Sequence, residues 1–174
     1  MTNYKSLLKD ITTFVFDYDG VMTNGDVLIT AEGEPLRTAN VKDGYAMQLA
    51  VKLGYNVAII SGGYSVSIEK RMEMLNVKDV FLRVADKTAK MREYMKERGL
   101  KPENIVYVGD DIPDYLVLKM VGLPVCPADA AHEIKDICLY ISDKEGGKGC
   151  VRDIIEQVLK AQDKWMRNFE SHLW

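Results

Sequence analysis

The sequence predicts an α/β protein: a doubly wound, Rossmann-like parallel sheet with a β-hairpin flap after its first strand and no cap domain. Three observations carry this expectation. Apolar runs without polar relief, in "FVF", "YNVAIIS" and "NIVYV", read as strands buried on both faces of a parallel sheet. Helical stretches of about ten residues alternate with them, as parallel crossovers require. Polar groups sit at the strand ends, where open α/β sheets bind ligands.

Each element follows in order. Phe14 to Phe16 form the first strand, which runs into Asp17, Tyr18, Asp19 and Gly20. "DVLITAEGEPLRTANV", about 26–40, holds two β-prone runs joined by a turn-like "AEGE" and reads as a hairpin. Asp43 is expected to open the helix "GYAMQLAVKL", which Gly54 closes. After the strand "YNVAIIS", Ser65 caps the helix "VSIEKRMEML". "VFLRV" is a short strand, and "KTAKMREYMKER" is a helix stopped by Gly99. "NIVYVGDD" is a strand ending in carboxylates, followed by the helix "DYLVLKMV" and the strand "LPVCP". A short helix near His132, the strand "CLYIS" and a helix from about Cys150 to Asp163 complete the chain. Its 174 residues suit one domain, 1–174, with a C-terminal helix and tail from about 150 to 174.

Composition narrows the function classes. The apolar share is 47% and the charged share 28%, ordinary for a soluble globular protein. A net charge of −3 argues against a nucleic-acid surface, so an anionic substrate must be met by local cations. No run approaches the length of a membrane span, and "MTNYKSLLKDI" lacks the apolar core of a leader; no membrane contact and a cytoplasmic location are expected. Cys126, Cys138 and Cys150 are far apart without the close pairs of a zinc site, so reduced thiols are expected.

Four points share one property: polar residues at a strand end or the start of the next helix. They are Asp17 and Asp19; Ser61 in "IISGG"; Lys87 in "ADKTAK"; and Asp110, Asp111 and Asp114 in "GDDIPD". Taken singly, each has a plainer explanation: an Asp-Gly turn, a serine before two glycines, a solvated first-turn lysine, an acid-rich helix start. Lys87 is placed against the helix dipole, however, and wants an anionic partner there. A doubly wound sheet brings all four to one edge.

Together they suit phosphoryl transfer from a monoester. Asp17 and Asp110 can supply the hard oxygens that Mg²⁺ prefers, and Asp17 can attack phosphorus to give an acyl phosphate. Asp19 can protonate the leaving oxygen and later deprotonate water, while Ser61 and Lys87 bind the phosphoryl group. Lys148 and Arg152 in "GGKGCVRD" sit beside glycines near a helix N-terminus, and are candidates to meet a substrate carboxylate.

These motifs resemble the haloacid dehalogenase superfamily of phosphotransferases. "DYDG" is similar to its first motif, "IISG" to its second, Lys87 to its third and "GDDIPD" to its fourth. The resemblance implies Asp17 as nucleophile and metal ligand, Asp19 as acid/base with its carbonyl on the metal, and Asp110 as a further ligand. It implies Ser61 with the adjacent Gly62 and Lys87 as phosphoryl binders, with Asp114 and Asp111 as acids behind the metal. About forty residues separate Asp19 from Ser61 and about twenty-five separate Ser61 from Lys87, which leaves no room for a cap. Within the capless branch, "NVKDGYAMQLA", "YVGDD" and "EGGKGCVRDIIEQVL" are similar to the 3-deoxy-D-manno-octulosonate 8-phosphate phosphatases.

That family commonly shows Thr-Gly-Arg at the second motif, where this chain has Ser61, Gly62 and Gly63. A phosphatase of 2-keto-3-deoxy-nonulosonate 9-phosphate is the alternative enzyme. A phospho-accepting receiver module is the alternative from another class; there the adjacent acidic pair ends the first strand, whereas here it comes late, at Asp110 and Asp111. The resemblance also implies a homotetramer centred on the hairpin. Val27, Leu28, Ile29 and Leu36 support this, being apolar residues on a ribbon too thin to bury them.

Overall fold

The structure, a computed structural model, describes residues 3–167. The last residues of the tail therefore lie outside the described residues. After a short N-terminal helix, α1 (Tyr4–Leu7), come β1 (Thr13–Phe16), β2 (Leu28–Ile29), β3 (Pro35–Leu36), α2 (Val41–Lys52), β4 (Asn56–Ile60) and α3 (Val66–Met74). The second half holds β5 (Asp79–Phe81), α4 (Lys87–Arg98), β6 (Ile105–Val108), α5 (Tyr115–Leu118), β7 (Leu123–Cys126), α6 (His132–Lys135), β8 (Tyr140–Ile141) and α7 (Cys150–Ala161).

Six strands form one parallel sheet in the order β5-β4-β1-β6-β7-β8. Leaving out the hairpin, this is the order 3-2-1-4-5-6, with the switch point between β1 and β6. Val15 pairs with Ala58 on one side and Tyr107 on the other, so β1 is central. Its four residues are fully buried, as the apolar run required. Phe14 and Phe16 face a core built with Met47, Ile68 and Ile154 from α2, α3 and α7. Val15 faces the other core, with Met91, Val117 and Ile134 from α4, α5 and α6. Receiver folds place their strands in the order 2-1-3-4-5. This sheet therefore excludes the receiver alternative.

Local signals set the helix ends. Ser65 caps α3 by accepting from Ser67 N, and Gly99 ends α4 in the left-handed region at φ 63. The start of α2 differs from expectation. Asn40 is its cap, accepting from Lys42 N and Asp43 N, so Asp43 lies in the first turn and is buried. The hairpin is the expected antiparallel ribbon, with Leu28 opposite Leu36, but only two residues of each strand pair. Leu28 is 69% and Ile29 59% exposed. Among the described residues no helix is long and apolar enough to cross a membrane.

Candidate active site

The carboxyl ends of β1, β4 and β6 and the start of α4 deliver their polar residues to one recess of about 330 Å³. It is lined by Asp17, Asp19, Ser61, Gly62, Lys87, Asp110 and Asp111. Asp17 continues the pairing of β1, its N–H donating to Val108 O at 2.9 Å, which places its carboxylate at the switch point. One carboxylate oxygen accepts from Tyr18 N at 2.7 Å and the other from Lys87 Nζ at 2.9 Å. The same ammonium donates to Asp114 Oδ1 at 2.8 Å. Lys87 is thus not a solvated first-turn residue: it is buried between two carboxylates.

Asp114 is the hub behind this pair. It is buried, accepts from the Tyr107 hydroxyl at 2.6 Å, and through Oδ2 accepts from Asp110 N at 3.2 Å. Ligand oxygens of Asp17, Asp110 and Asp114 lie within 4.8 Å of one another. Burial and the neighbouring Asp114 push the Asp17 carboxyl up to about 7 against the pull of Lys87. Burial and the charges of Asp17 and Asp114 push Asp110 to about 7 as well. Burial alone would lower the Lys87 ammonium, but Asp17 and Asp114 outweigh it and hold it above its ordinary value. Buried and half-buried hard oxygens that destabilise one another's charge are the donor set that fits a divalent ion such as Mg²⁺.

Gly20 explains the glycine of "DYDG". Its φ is +82, and a Cβ there would lie 2.0 Å from Asp110 Oδ2, so the first turn makes room for the fourth-motif carboxylate. Ser61 is buried, with its Oγ accepting from Gly63 N at 3.2 Å. Asp19 lines the same recess and is gripped by Arg37, Nε to Oδ1 at 2.6 Å and Nη2 to Oδ2 at 2.9 Å. The two aspartates that look crowded in sequence each have a cation of their own, Lys87 for Asp17 and Arg37 for Asp19.

Lys148 and Arg152 do not line this recess. They line another cavity of about 640 Å³ with Lys42, Lys144, Asp153 and Lys160, and Arg152 pairs with Glu156 at 3.1 Å. Their loop does reach the turn after β1, since a Cβ on Gly146 would lie 2.0 Å from Gly20 O. Sequence reasoning missed three residues. Tyr107 looked like core, Arg37 looked like part of a strand, and Asp43 looked like a helix start. Asp43 instead accepts from Arg152 N at 2.7 Å and caps α7.

Fold and site together define a haloacid dehalogenase-like hydrolase, and the family model of that description matches residues 76–154. The 3-deoxy-D-manno-octulosonate 8-phosphate phosphatase of Yersinia pestis is 34% identical over 155 residues, 89% of this chain and 83% of its own. That of Salmonella typhi is 32% identical, covering 94% of this chain and 87% of its own. A Moraxella catarrhalis phosphatase of the same name, solved with magnesium, phosphate and KDO, superposes with TM-score 0.91 at 28% identity over 95% of each chain. The chain belongs to the 3-deoxy-D-manno-octulosonate 8-phosphate phosphatase family of haloacid dehalogenase-like hydrolases.

Proposed function

We propose that the chain hydrolyses 3-deoxy-D-manno-octulosonate 8-phosphate to the free sugar acid and phosphate, through an aspartyl phosphate on Asp17, in the synthesis of lipopolysaccharide precursors. The observation that carries this is the Asp17–Lys87–Asp114 chain beside Asp110, with Asp19 two residues beyond the nucleophile. An Asp17 oxygen attacks phosphorus as the bond from phosphorus to the sugar oxygen breaks. Asp19 gives a proton to that leaving oxygen. Water then attacks the acyl phosphate, loses a proton to Asp19, and the phosphorus–Asp17 bond breaks to regenerate the carboxylate. Lys87 neutralises the charge that builds on phosphorus, and Ser61 with Gly62 offers hydrogen bonds to it. Asp17 and Asp110, with the Asp19 carbonyl, would hold the Mg²⁺, with Asp114 and Asp111 behind them. When bound, the ion offsets the negative charge of the site and polarises a phosphoryl oxygen.

Phosphate release from the octulosonate 8-phosphate and from 2-keto-3-deoxy-nonulosonate 9-phosphate, compared at equal concentrations with Mg²⁺, tests the assignment. A kcat/KM at least about tenfold higher for the octulosonate is expected, a difference of about 1.4 kcal/mol in transition-state binding. The reverse preference would assign the nonulosonate.

Exposed Val27, Leu28, Ile29 and Leu36 support a homotetramer in which hairpins meet. In that arrangement Lys148 and Arg152 belong to a site completed across an interface, where they meet the sugar carboxylate. The cytoplasm, where phosphorylated sugar precursors are made, is the proposed location.

A further inference from the structure

We infer that Arg37 is a positioning residue for Asp19 and that position 63 is glycine to admit its guanidinium; this rests on the acid/base reading of Asp19 above. Arg37 directly follows β3, and its side chain is 7% exposed although the hairpin around it is open. Nε and Nη2 grip both oxygens of Asp19, while Nη1 donates to Pro35 O at 3.2 Å and Tyr64 O at 3.3 Å. One planar group thus bolts three segments together: the turn after β1, the end of the hairpin and the loop after Ser61. A two-point fork fixes the plane of a carboxylate, which a lysine ammonium cannot do.

The space for this fork exists because residue 63 has no side chain. A Cβ there would lie 2.8 Å from Asp19 Oδ2, 2.9 Å from Arg37 Nη2 and 3.5 Å from Ser61 Oγ. Gly63 carries no positive φ in this structure, so backbone freedom does not explain the glycine. The approach of the Arg37–Asp19 pair does. Asp19 stays 31% exposed toward the recess, so the grip orients it without covering it. The cation at this corner of the site comes from the hairpin and is spent on orienting the proton carrier.

The test compares kcat and KM for the sugar phosphate, a poor leaving group, with those for p-nitrophenyl phosphate, which needs little proton donation. Misplacing a positioned acid costs on the order of a hundredfold. Arg37→Ala should therefore lower kcat/KM for the sugar phosphate about a hundredfold, mostly in kcat, and affect the aryl phosphate at least about tenfold less. Arg37→Lys should recover only part of the loss. Gly63→Ala should show the same signature, and adding it to Arg37→Ala should cost less than about threefold more, the non-additivity of two changes to one contact. Equal losses of kcat/KM on both substrates, or a kcat/KM for the sugar phosphate within about twofold of the parent, would overturn the inference. Should Arg37→Ala not fold by circular dichroism, Arg37→Lys and Gly63→Ala carry the same comparison. An Asp19→Asn variant with near-normal turnover would instead remove the acid/base reading, a separate failure.

Discussion

Asp17, Asp110 and Asp114 are three carboxylates served by one ammonium, and that imbalance governs the behaviour of individual residues in the site. In the proposed reaction Asp17→Asn would remove both the attacking oxygen and a charge on the ion, so phosphate release should fall at least about a thousandfold in a fold-competent protein. Without metal, the imbalance shows as a pH dependence of stability. Asp17 and Asp110 are pushed to about 7, and burial pushes Asp43 to about 6. A carboxyl held higher in the folded than in the unfolded chain favours folding fully below about pH 4, gives up that stability as pH rises from about 4, and has lost it once pH passes 6 to 7. Thermal melts in chelator should therefore lose Tm across that window. Mg²⁺ above pH 7 should restore the share of Asp17 and Asp110 and leave that of Asp43. A flat profile in chelator would contradict this. Lys87 and the aspartates were legible in the sequence because their strand-end placement is local. Arg37 was not: its partner Asp19 lies 18 residues back across the hairpin turn, and only the folded ribbon brings them together.

At the scale of elements, α7 is held by a residue 109 positions earlier, which no local pattern announces. Its own cap position is Gly149, which offers no side-chain cap hydrogen bond, so the Asp43 carboxylate does that work from the first turn of α2. Asp43→Ala should cost about 1–2 kcal/mol, read as a lower denaturation midpoint with an unchanged m-value, whereas Asp43→Asn keeps an acceptor and should cost less. Equal midpoints for the alanine variant and the parent would mean that α7 does not need the cap. The central strands were readable because a strand buried on both faces must be apolar throughout. The hairpin was readable as a hairpin, but its pairing is only two residues a side, and both paired residues of β2 are exposed. The start of α2 was misjudged because "TANV" continues a β-prone run, so Asn40 did not announce itself as a cap.

At the scale of the whole molecule, light scattering should give the mass of four chains, and dilution to nanomolar concentration should cost sugar selectivity if neighbours complete the site. A monomer with full selectivity would refute the shared arrangement. Lys148→Ala with Arg152→Ala should raise KM for the sugar acid about tenfold or more while leaving a small aryl phosphate within about twofold, as loss of a charged contact to one substrate requires. Equal effects would detach these residues from the substrate. Fold class was legible because the alternation of strands and helices imposes parallel βαβ crossovers, whereas the strand order came only with the structure. Assembly was not, since a single chain shows only the surface it leaves open. The one-sided placement of the motifs also has a practical reading. β4 and β6 are entered at the opposite end of the sheet through Gly54 and the turn Pro102–Asn104, of which Gly54, Pro102 and Glu103 are exposed and none lines the recess. A dye, an affinity handle or a bead attached at Lys101 would therefore hold the enzyme by its back and leave its mouth facing the solution.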